Sequence, residues 1–442
     1  MSREMRGGSA ARRLLAVLGI ASVAAGCHPS PGPSASWPMR SDTAPARENS
    51  PAQTSKPYVV MVSLDGYRWD YPERYHTPAV ERILATGARA EALVPVFPTK
   101  TFPNHYSIAS GTYTEHSGVV GNEMYDPAWD RRFLSSRPET STDWHWYGAE
   151  PIWVTAEKQG MRTAAFYWPG SEAAVGRVRP TYYKTYDAAV PDTARMRAVL
   201  GWLSMEPARR PHLVLAYLSD IDDQAHKHGP DALEVAEAAR TVDGALEMLL
   251  DGIARLPIRD SVNVLVVSDH GLQQVDTARI EYLADSAEPG DSTRVVVAGP
   301  YAQLFFRGDA AREERVYRAL AAGMRHARVY RRADIPARLH VRESRRAGDV
   351  LVIMDQGWMV DTRRPTKARA AWQLNQGNHG YDPQVRTMHG IFLATGPAFR
   401  PGATVGRVEN VNVYPLIAHI LGLRPAPHVD GRLSALRPLL RR

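Results

Sequence analysis

Apolar residues fall in short, uninterrupted runs separated by longer amphipathic stretches. Tyr58 to Leu64, His212 to Leu218 and Val262 to Ser268 are apolar runs, the first rich in β-branched side chains, and show no inside–outside alternation. Strands buried on both faces of a parallel sheet have that pattern. Shorter runs over Ala92 to Val96, Thr163 to Tyr167 and Ile391 to Ala394 read as further strands. Between them, Thr77 to Ala88, Ile152 to Lys158, Asp192 to Met205, Asp231 to Arg255 and Asn412 to Leu421 read as helices. The alternation predicts an α/β fold with a mostly parallel central sheet and helices on both faces. Residues 276 to about 370 are less regular and richer in Arg. A helix over Ala310 to His326 and short strands at Arg328 to Tyr330 and Val350 to Met354 predict a smaller inserted α+β region.

The long strands end in acids. Asp65-Gly66 follows the first, and Asp269-His270-Gly271 follows the third. Past the second lie Asp220, Asp222, Asp223, His226 and His228. Functional groups in open parallel sheets gather beyond the carboxyl ends of the strands. Asp65 alone would read equally well as a turn residue before Gly. Asp222 and His226 are four apart, so one helical turn puts them on one side. His379 stands between small residues in Gly377 to Pro383. Carboxylate with neutral imidazole suits Zn²⁺. Asp65, Asp269 and His270 form one three-ligand set, and Asp222, His226 and His379 a second. Two adjacent metals are a standard device for phosphoryl transfer. Thr101 stands just before a helix expected from Asn104 to Ser110, where free N–H groups attract anions. It would take the open place on the first metal and act as nucleophile. Gly118 to Pro127 reads as a tight loop offering Asn122 as an oxyanion donor, and Tyr182, Tyr183 and Tyr186 read as a pocket rim.

Composition narrows the class. Charged residues make up 23% and hydrophobic ones 44% of 442, an ordinary globular balance. Four basic residues and one acid precede Cys27, so the formal charge of +7 falls to 50 basic against 46 acidic beyond it. No Lys/Arg block occurs, and no duplex nucleic-acid surface is expected. Neither a phosphate-binding Gly-Lys-Ser/Thr loop nor a dinucleotide fingerprint is present. Arg12-Arg13 precede the apolar run Leu14 to Ala25, too short for a membrane span of ~20 residues. The run ends in Ala24-Ala25-Gly26-Cys27, which resembles a bacterial lipoprotein signal. Cys27 is the sole cysteine, so no intrachain disulfide forms. The expectation is a signal peptide over 1–26, a disordered Pro/Ser/Ala-rich tether over 27–56, and a catalytic domain over 57–442. His28, rather than an acid, follows the cysteine, and the anchored chain is expected in the periplasm at the outer membrane.

Taken in order, Leu64-Asp65-Gly66, Pro98 to Tyr106, His116-Ser117-Gly118 with Asn122 to Pro127, Trp168 to Ser171, Asp222 to His226 ahead of Gly229-Pro230, Ser268 to Gly271 and Asn378 to Tyr381 closely resemble the motifs of the nucleotide pyrophosphatase/phosphodiesterases of the alkaline phosphatase superfamily. The resemblance runs from Val59 to about Pro427. It implies an alkaline-phosphatase-like core, two Zn²⁺ in the two sets above, Thr101 as nucleophile, and Asn122 with the Thr101 backbone N–H as oxyanion donors. It also implies Phe102 and Tyr186 as aromatic faces around a nucleobase. The expected reaction splits phosphodiester or pyrophosphate bonds of nucleotides such as ATP or dinucleotides, giving nucleoside 5'-monophosphates through a phospho-threonine. The expected partner is a small nucleotide; no protein partner is implied. The same chemistry on lysophospholipid or choline-phosphate esters is the alternative, and a catalytically inactive, anchored metal-binding protein a further one. Ala225 replaces the glycine usual before the second ligand of the Asp-to-His segment, and Asp220, Asp223 and His228 stand near enough to be alternative ligands.

Overall fold

In a computed structural model, residues 48–276, 278–365 and 375–441 are described. The expected signal peptide, Cys27 and most of the expected tether lie outside these residues.

Eight strands make the central sheet: β1 (Tyr58–Leu64), β2 (Ala88–Ala90), β3 (Thr163–Phe166), β4 (Tyr182–Lys184), β5 (Leu213–Leu218), β6 (Val262–Val267), β7 (Phe392–Thr395) and β8 (Thr404–Val405). Their spatial order is β8-β2-β7-β6-β1-β5-β3-β4. β1 lies at the centre, parallel to both β5 and β6. β7 runs antiparallel to β6 and β2. The sheet is therefore mostly parallel, as the uninterrupted apolar runs predict. Side chains alternate across it: Val59, Met61, Leu213, Leu215 and Leu265 enter one core, and Val60, Val62, Val214, Ala216 and Val264 the other. Helix α1 (Thr101–Ser110) packs on the first face, and α2 (Asp220–His228) and α3 (Leu233–Ala254) serve the second. Burial on both faces leaves the strand ends as the places where polar side chains can collect.

The insert has its own sheet, which joins the first core through Tyr301, Leu351 and Ile353. Arg294–Val297, Tyr301–Phe305, Val350–Met354 and Ala327–Arg331 form a four-stranded antiparallel sheet. Ala310–Gly323 covers it through Val316 and Leu320.

Several boundaries differ from the sequence expectation. The tether does not extend to residue 56. Asn49 is buried, its Nδ2 donates to Arg210 O at 2.8 Å, and its Oδ1 accepts from Arg162 N at 2.8 Å. Its amide recovers backbone groups that the Pro/Ser-rich composition gives no hint of. Helix α1 begins at Thr101 with Lys100 as its cap, so Thr101 sits in the first turn rather than before it. Pro103 is tolerated there because first-turn N–H groups have no intrahelical partner. The expected loop after Gly118 holds a hairpin, Glu123–Asp126 against Arg131–Leu134. Tyr182–Lys184 is an edge strand. No helix among the described residues is long and apolar enough to cross a membrane.

Candidate active site and metal centre

Asp65 leaves β1, α2 leaves β5 one residue after its end, and Asp269-His270 leave β6. The central position of β1 brings these three exits together. Gly66 makes the first exit feasible. Its φ is +71°, and a Cβ there would lie 2.7 Å from Leu272 Cδ1 and 3.1 Å from Asp222 Cα. The Asp222 backbone thus packs directly on the Asp65 turn. The loop carrying His379 is tied to the irregular segment before α1. Thr99 Oγ1 accepts from Gly380 N at 2.8 Å and donates to Tyr381 O at 3.1 Å.

The histidines share one arrangement. Nδ1 of His226 faces Gly377 O at 2.8 Å, Nδ1 of His379 faces Thr99 O at 2.7 Å, and Nδ1 of His270 faces Gly271 O at 3.2 Å. A carbonyl accepts only, so each Nδ1 carries the hydrogen and each Nε2 presents a lone pair. His226 and His379 bring their Nε2 atoms to 3.1 Å from each other, and both approach Asp222, at 3.4 and 3.7 Å. His270 Nε2 lies 2.9 Å from Asp269 Oδ2 and 3.6 Å from Asp65 Oδ1. Imidazole nitrogens and carboxylate oxygens converge on one place. Asp65 Oδ1, Asp222 Oδ1 and Asp269 Oδ2 are buried without a hydrogen-bond partner. Orphaned buried anions carry a large penalty unless a cation lies among them. The donors within reach of one another are Asp222, His226 and His379; Asp65, Asp222 and His270; and Asp65, His105 and Asp269. Asp65 therefore stands between the two expected sets. The residues present fit divalent cations of the nitrogen- and oxygen-binding kind.

The titration behaviour fits the same picture. Burial, reinforced by the charges of Asp269 and Asp222, pushes the Asp65 carboxyl well above its usual range. Burial would raise Asp269 too, but the imidazoles of His270 and His105 outweigh it and hold its carboxyl low. Burial, with His270, Lys100 and His226 nearby, pushes His379 well below the usual imidazole range, so it is neutral and able to ligate at neutral pH.

Thr101 Oγ1 sits 3.4 Å from His270 Nε2, at the edge of this cluster. The Phe102 N–H donates to Asn122 Oδ1 at 2.8 Å. That bond fixes the amide so that its NH₂ side remains to donate into the site. A cleft of about 500 Å³ opens from here, lined by Thr101, Phe102, Asn122, Tyr167, Trp168 and Tyr186 among others. Of the three rim tyrosines expected, Tyr186 lines it and is 48% exposed, whereas Tyr182 and Tyr183 lie in the edge strand β4. His228 faces Glu234 at 3.7 Å, so α2 turns it away from Asp222.

Other residues support the site without having been singled out in the sequence. Tyr217 OH donates to Asp65 Oδ2 at 2.6 Å. His105 has both ring nitrogens engaged, Nδ1 with Thr101 O at 2.9 Å and Nε2 with Ser63 Oγ at 2.8 Å. It therefore acts as a buttress rather than a free donor. Lys100 Nζ donates to Asn378 Oδ1 at 3.0 Å, which also accepts the His379 N–H at 2.9 Å. His105 lies one turn along α1 from Thr101, a spacing that could have drawn attention to it.

A family model described as type I phosphodiesterase / nucleotide pyrophosphatase matches residues 59–382. Mouse ectonucleotide pyrophosphatase/phosphodiesterase family member 1 is 35% identical over 407 residues, covering 89% of this chain and 44% of its own length. A venom phosphodiesterase of Macrovipera lebetinus is 34% identical over 395 residues, 87% of this chain and 45% of its own. The chain thus spans about half the length of these curated relatives. Murine ectonucleotide pyrophosphatase/phosphodiesterase 5, solved as an inactive threonine-to-alanine variant in complex with AMP, superposes with a TM-score of 0.81 at 30% identity, covering 88% of this chain and all of that one. The α/β core is the alkaline-phosphatase-like one that the motifs imply. With most of its length matched by the family model and its strand-end cluster in place, the chain belongs to the type I phosphodiesterase/nucleotide pyrophosphatase family.

Proposed function

We propose that the protein is a metal-dependent hydrolase that cleaves phosphodiester or pyrophosphate bonds of nucleotides and releases nucleoside 5'-monophosphates. The observation that carries this is the convergence of three Nε2 lone pairs and three orphaned carboxylate oxygens on one place beside Thr101. Asp65, Asp269 and His270 would hold one cation, and Asp222, His226 and His379 a second. Asp/His donors favour Zn²⁺ over Mg²⁺ or Ca²⁺. Bound there, two such ions would acidify the threonine hydroxyl and offset charge on the phosphoryl oxygens.

The Thr101 hydroxyl gives its proton to solvent water and Oγ1 attacks phosphorus; the Oγ1–P bond forms and the P–O bond to the leaving group breaks. The leaving group departs with the bonding electrons. Water then cleaves the phospho-threonine, restoring the hydroxyl and freeing the monophosphate. The Asn122 NH₂ donates to a non-bridging oxygen throughout, and Phe102 N–H keeps that amide oriented. A neutral donor suffices because a diester carries one fewer negative charge than a monoester. Phe102 and Tyr186 take the base between them; stacking of this kind is worth about 1–3 kcal/mol and tolerates different bases. The structure solved with AMP supports a nucleotide rather than a choline-phosphate ester.

The test compares the 4-nitrophenyl ester of TMP with 4-nitrophenyl phosphocholine, in the wild type and in Thr101→Ala. The reading expects preference for the TMP ester, and no turnover but retained metal in the variant. Equal rates on both esters, or unchanged hydrolysis by Thr101→Ala, would overturn it.

A further inference from the structure

Asn122 stands midway along the segment from Gly118 to Asp126. Both ends of that segment meet one side chain. Arg346, from the insert, donates from Nη1 to Gly118 O at 2.7 Å and from Nε to Asp126 Oδ2 at 2.8 Å. Nη1 also donates to Trp146 O at 2.6 Å. The guanidinium lies 4.7 Å from the Trp146 ring and 5.0 Å from the Trp129 ring, with only 6% of the side chain exposed. Asp126 is fully buried, and its Oδ1 accepts from Ala128 N at 3.0 Å. A buried ion pair of this kind holds its partners firmly, because any donor or oxygen left unpaired carries a desolvation penalty.

Between these ends the segment has little room to move. Gly118 has φ +71°, and a Cβ there would lie 3.1 Å from Arg346 Nη1. A Cβ at Gly121 would lie 2.9 Å from the hydroxyl oxygen of Tyr301, a second buried residue of the insert. The Tyr125 ring meets Phe305 of the insert edge-on, with centroids 5.0 Å apart. The insert thus grips the segment before, beside and after Asn122.

We propose that Arg346 is a positioning residue for Asn122, and that holding the oxyanion segment is a task of the insert in the reaction. The inference rests on the reading of Asn122 as donor to a non-bridging phosphoryl oxygen. Arg346 and Asp126 are not among the residues lining the aromatic cleft, so they act on the reaction through Asn122. The Phe102 N–H sets the rotation of the amide, and the Arg346 bridge sets the place of its backbone. Misplacing a catalytic group by about 1 Å costs up to about 10²-fold in rate. Lysine at position 346 would keep the charge. Its single ammonium cannot reproduce the planar fork that reaches Gly118 O, Trp146 O and Asp126 together.

The test is a double-mutant cycle on the metal-loaded protein, with the 4-nitrophenyl ester of TMP as substrate. Arg346→Lys should lower kcat by about tenfold to 10²-fold, with metal content unchanged and KM within about twofold, as for an interaction made only in the transition state. In an Asn122→Ala background the donor is already gone, and the same substitution should lower kcat by less than about twofold. Asp126→Asn keeps the shape of the carboxylate and weakens the pair; it should show the same dependence on Asn122, and it runs the cycle independently of how Arg346→Lys folds. Arg345 also donates to Asp126, at 2.9 Å, but is 51% exposed. Arg345→Lys leaves the Gly118 bond intact and should stay within about twofold of wild type, the range of an exposed ion pair. An equal fall with and without Asn122 would show that Arg346 supports the fold alone, and would overturn the inference. Wild-type kcat in both Arg346→Lys and Asp126→Asn would overturn it too, as would a fall in Arg345→Lys as large as that in Arg346→Lys. Wild-type kcat in Asn122→Ala would instead overturn the oxyanion reading on which the inference depends.

Discussion

Asn122 has two ends, and the proposed mechanism gives them different tasks. Oδ1 accepts the Phe102 N–H at 2.8 Å, while the NH₂ faces the cleft. Asn122→Asp keeps the accepting oxygen and replaces the donor with an anionic oxygen. Asn122→Ala removes both. Loss of one oxyanion donor costs about 2.7–4 kcal/mol of barrier, or about 10²–10³ in kcat. Both variants should fall by at least that amount, and Asn122→Asp further, because its charge opposes the phosphoryl oxygens. Their stabilities should diverge. Alanine leaves the Phe102 N–H without its acceptor, at a cost of about 1–3 kcal/mol where water does not replace it. Aspartate retains the bond. The assay is steady-state hydrolysis of the 4-nitrophenyl ester of TMP beside urea unfolding of the same preparations. A rate for Asn122→Asp within tenfold of wild type would remove Asn122 from the oxyanion role. Equal destabilisation by both substitutions would refute the division of labour between the two ends.

Phe102→Ala should raise KM for the TMP ester by about tenfold, within the ~1–3 kcal/mol of one stacked base, with less effect on a phosphocholine ester. An equal rise for both esters would show a general packing role against Phe133 instead. Gly66→Ala should destabilise by at least about 1–2 kcal/mol for the left-handed backbone alone, and should lower metal content because the added Cβ presses on Asp222 Cα; wild-type stability and metal content would contradict the packing described. Chelation with EDTA should abolish turnover, and Zn²⁺ should restore it better than Mg²⁺, as measured by activity and by metal analysis. Full activity in chelator would end the metal-dependent mechanism.

The sheet was legible because β1, β5 and β6 are buried on both faces, and that burial writes itself as apolar runs dominated by Val and Leu. Their terminal acids were legible for the related reason that a parallel sheet exposes polar groups only at its ends. Asp222, rather than Asp220 or Asp223, is selected only by the structure, which brings it within reach of both His226 and His379. Other features leave little trace in the sequence. The Glu123–Asp126 hairpin is four residues a side and is held by backbone pairing, which side-chain pattern does not record. The supports around the cluster were equally hidden. Tyr217 reads as one more apolar strand residue until its hydroxyl is seen on Asp65, and His105 until both its nitrogens are traced. The tether boundary failed because Asn49, polar and in a low-hydrophobicity stretch, is held by backbone groups more than a hundred residues away.

The central claim is that two cations sit beside Thr101 and hold the phosphate of a nucleotide. Crystals soaked with AMP, with anomalous data collected at the zinc edge, test it directly. The expected map has two zinc peaks, one among Asp65, Asp269 and His270 and one among Asp222, His226 and His379, with the AMP phosphate at Thr101 and the base between Phe102 and Tyr186. A map with no anomalous peak at these residues, or with AMP bound away from Thr101, would contradict it.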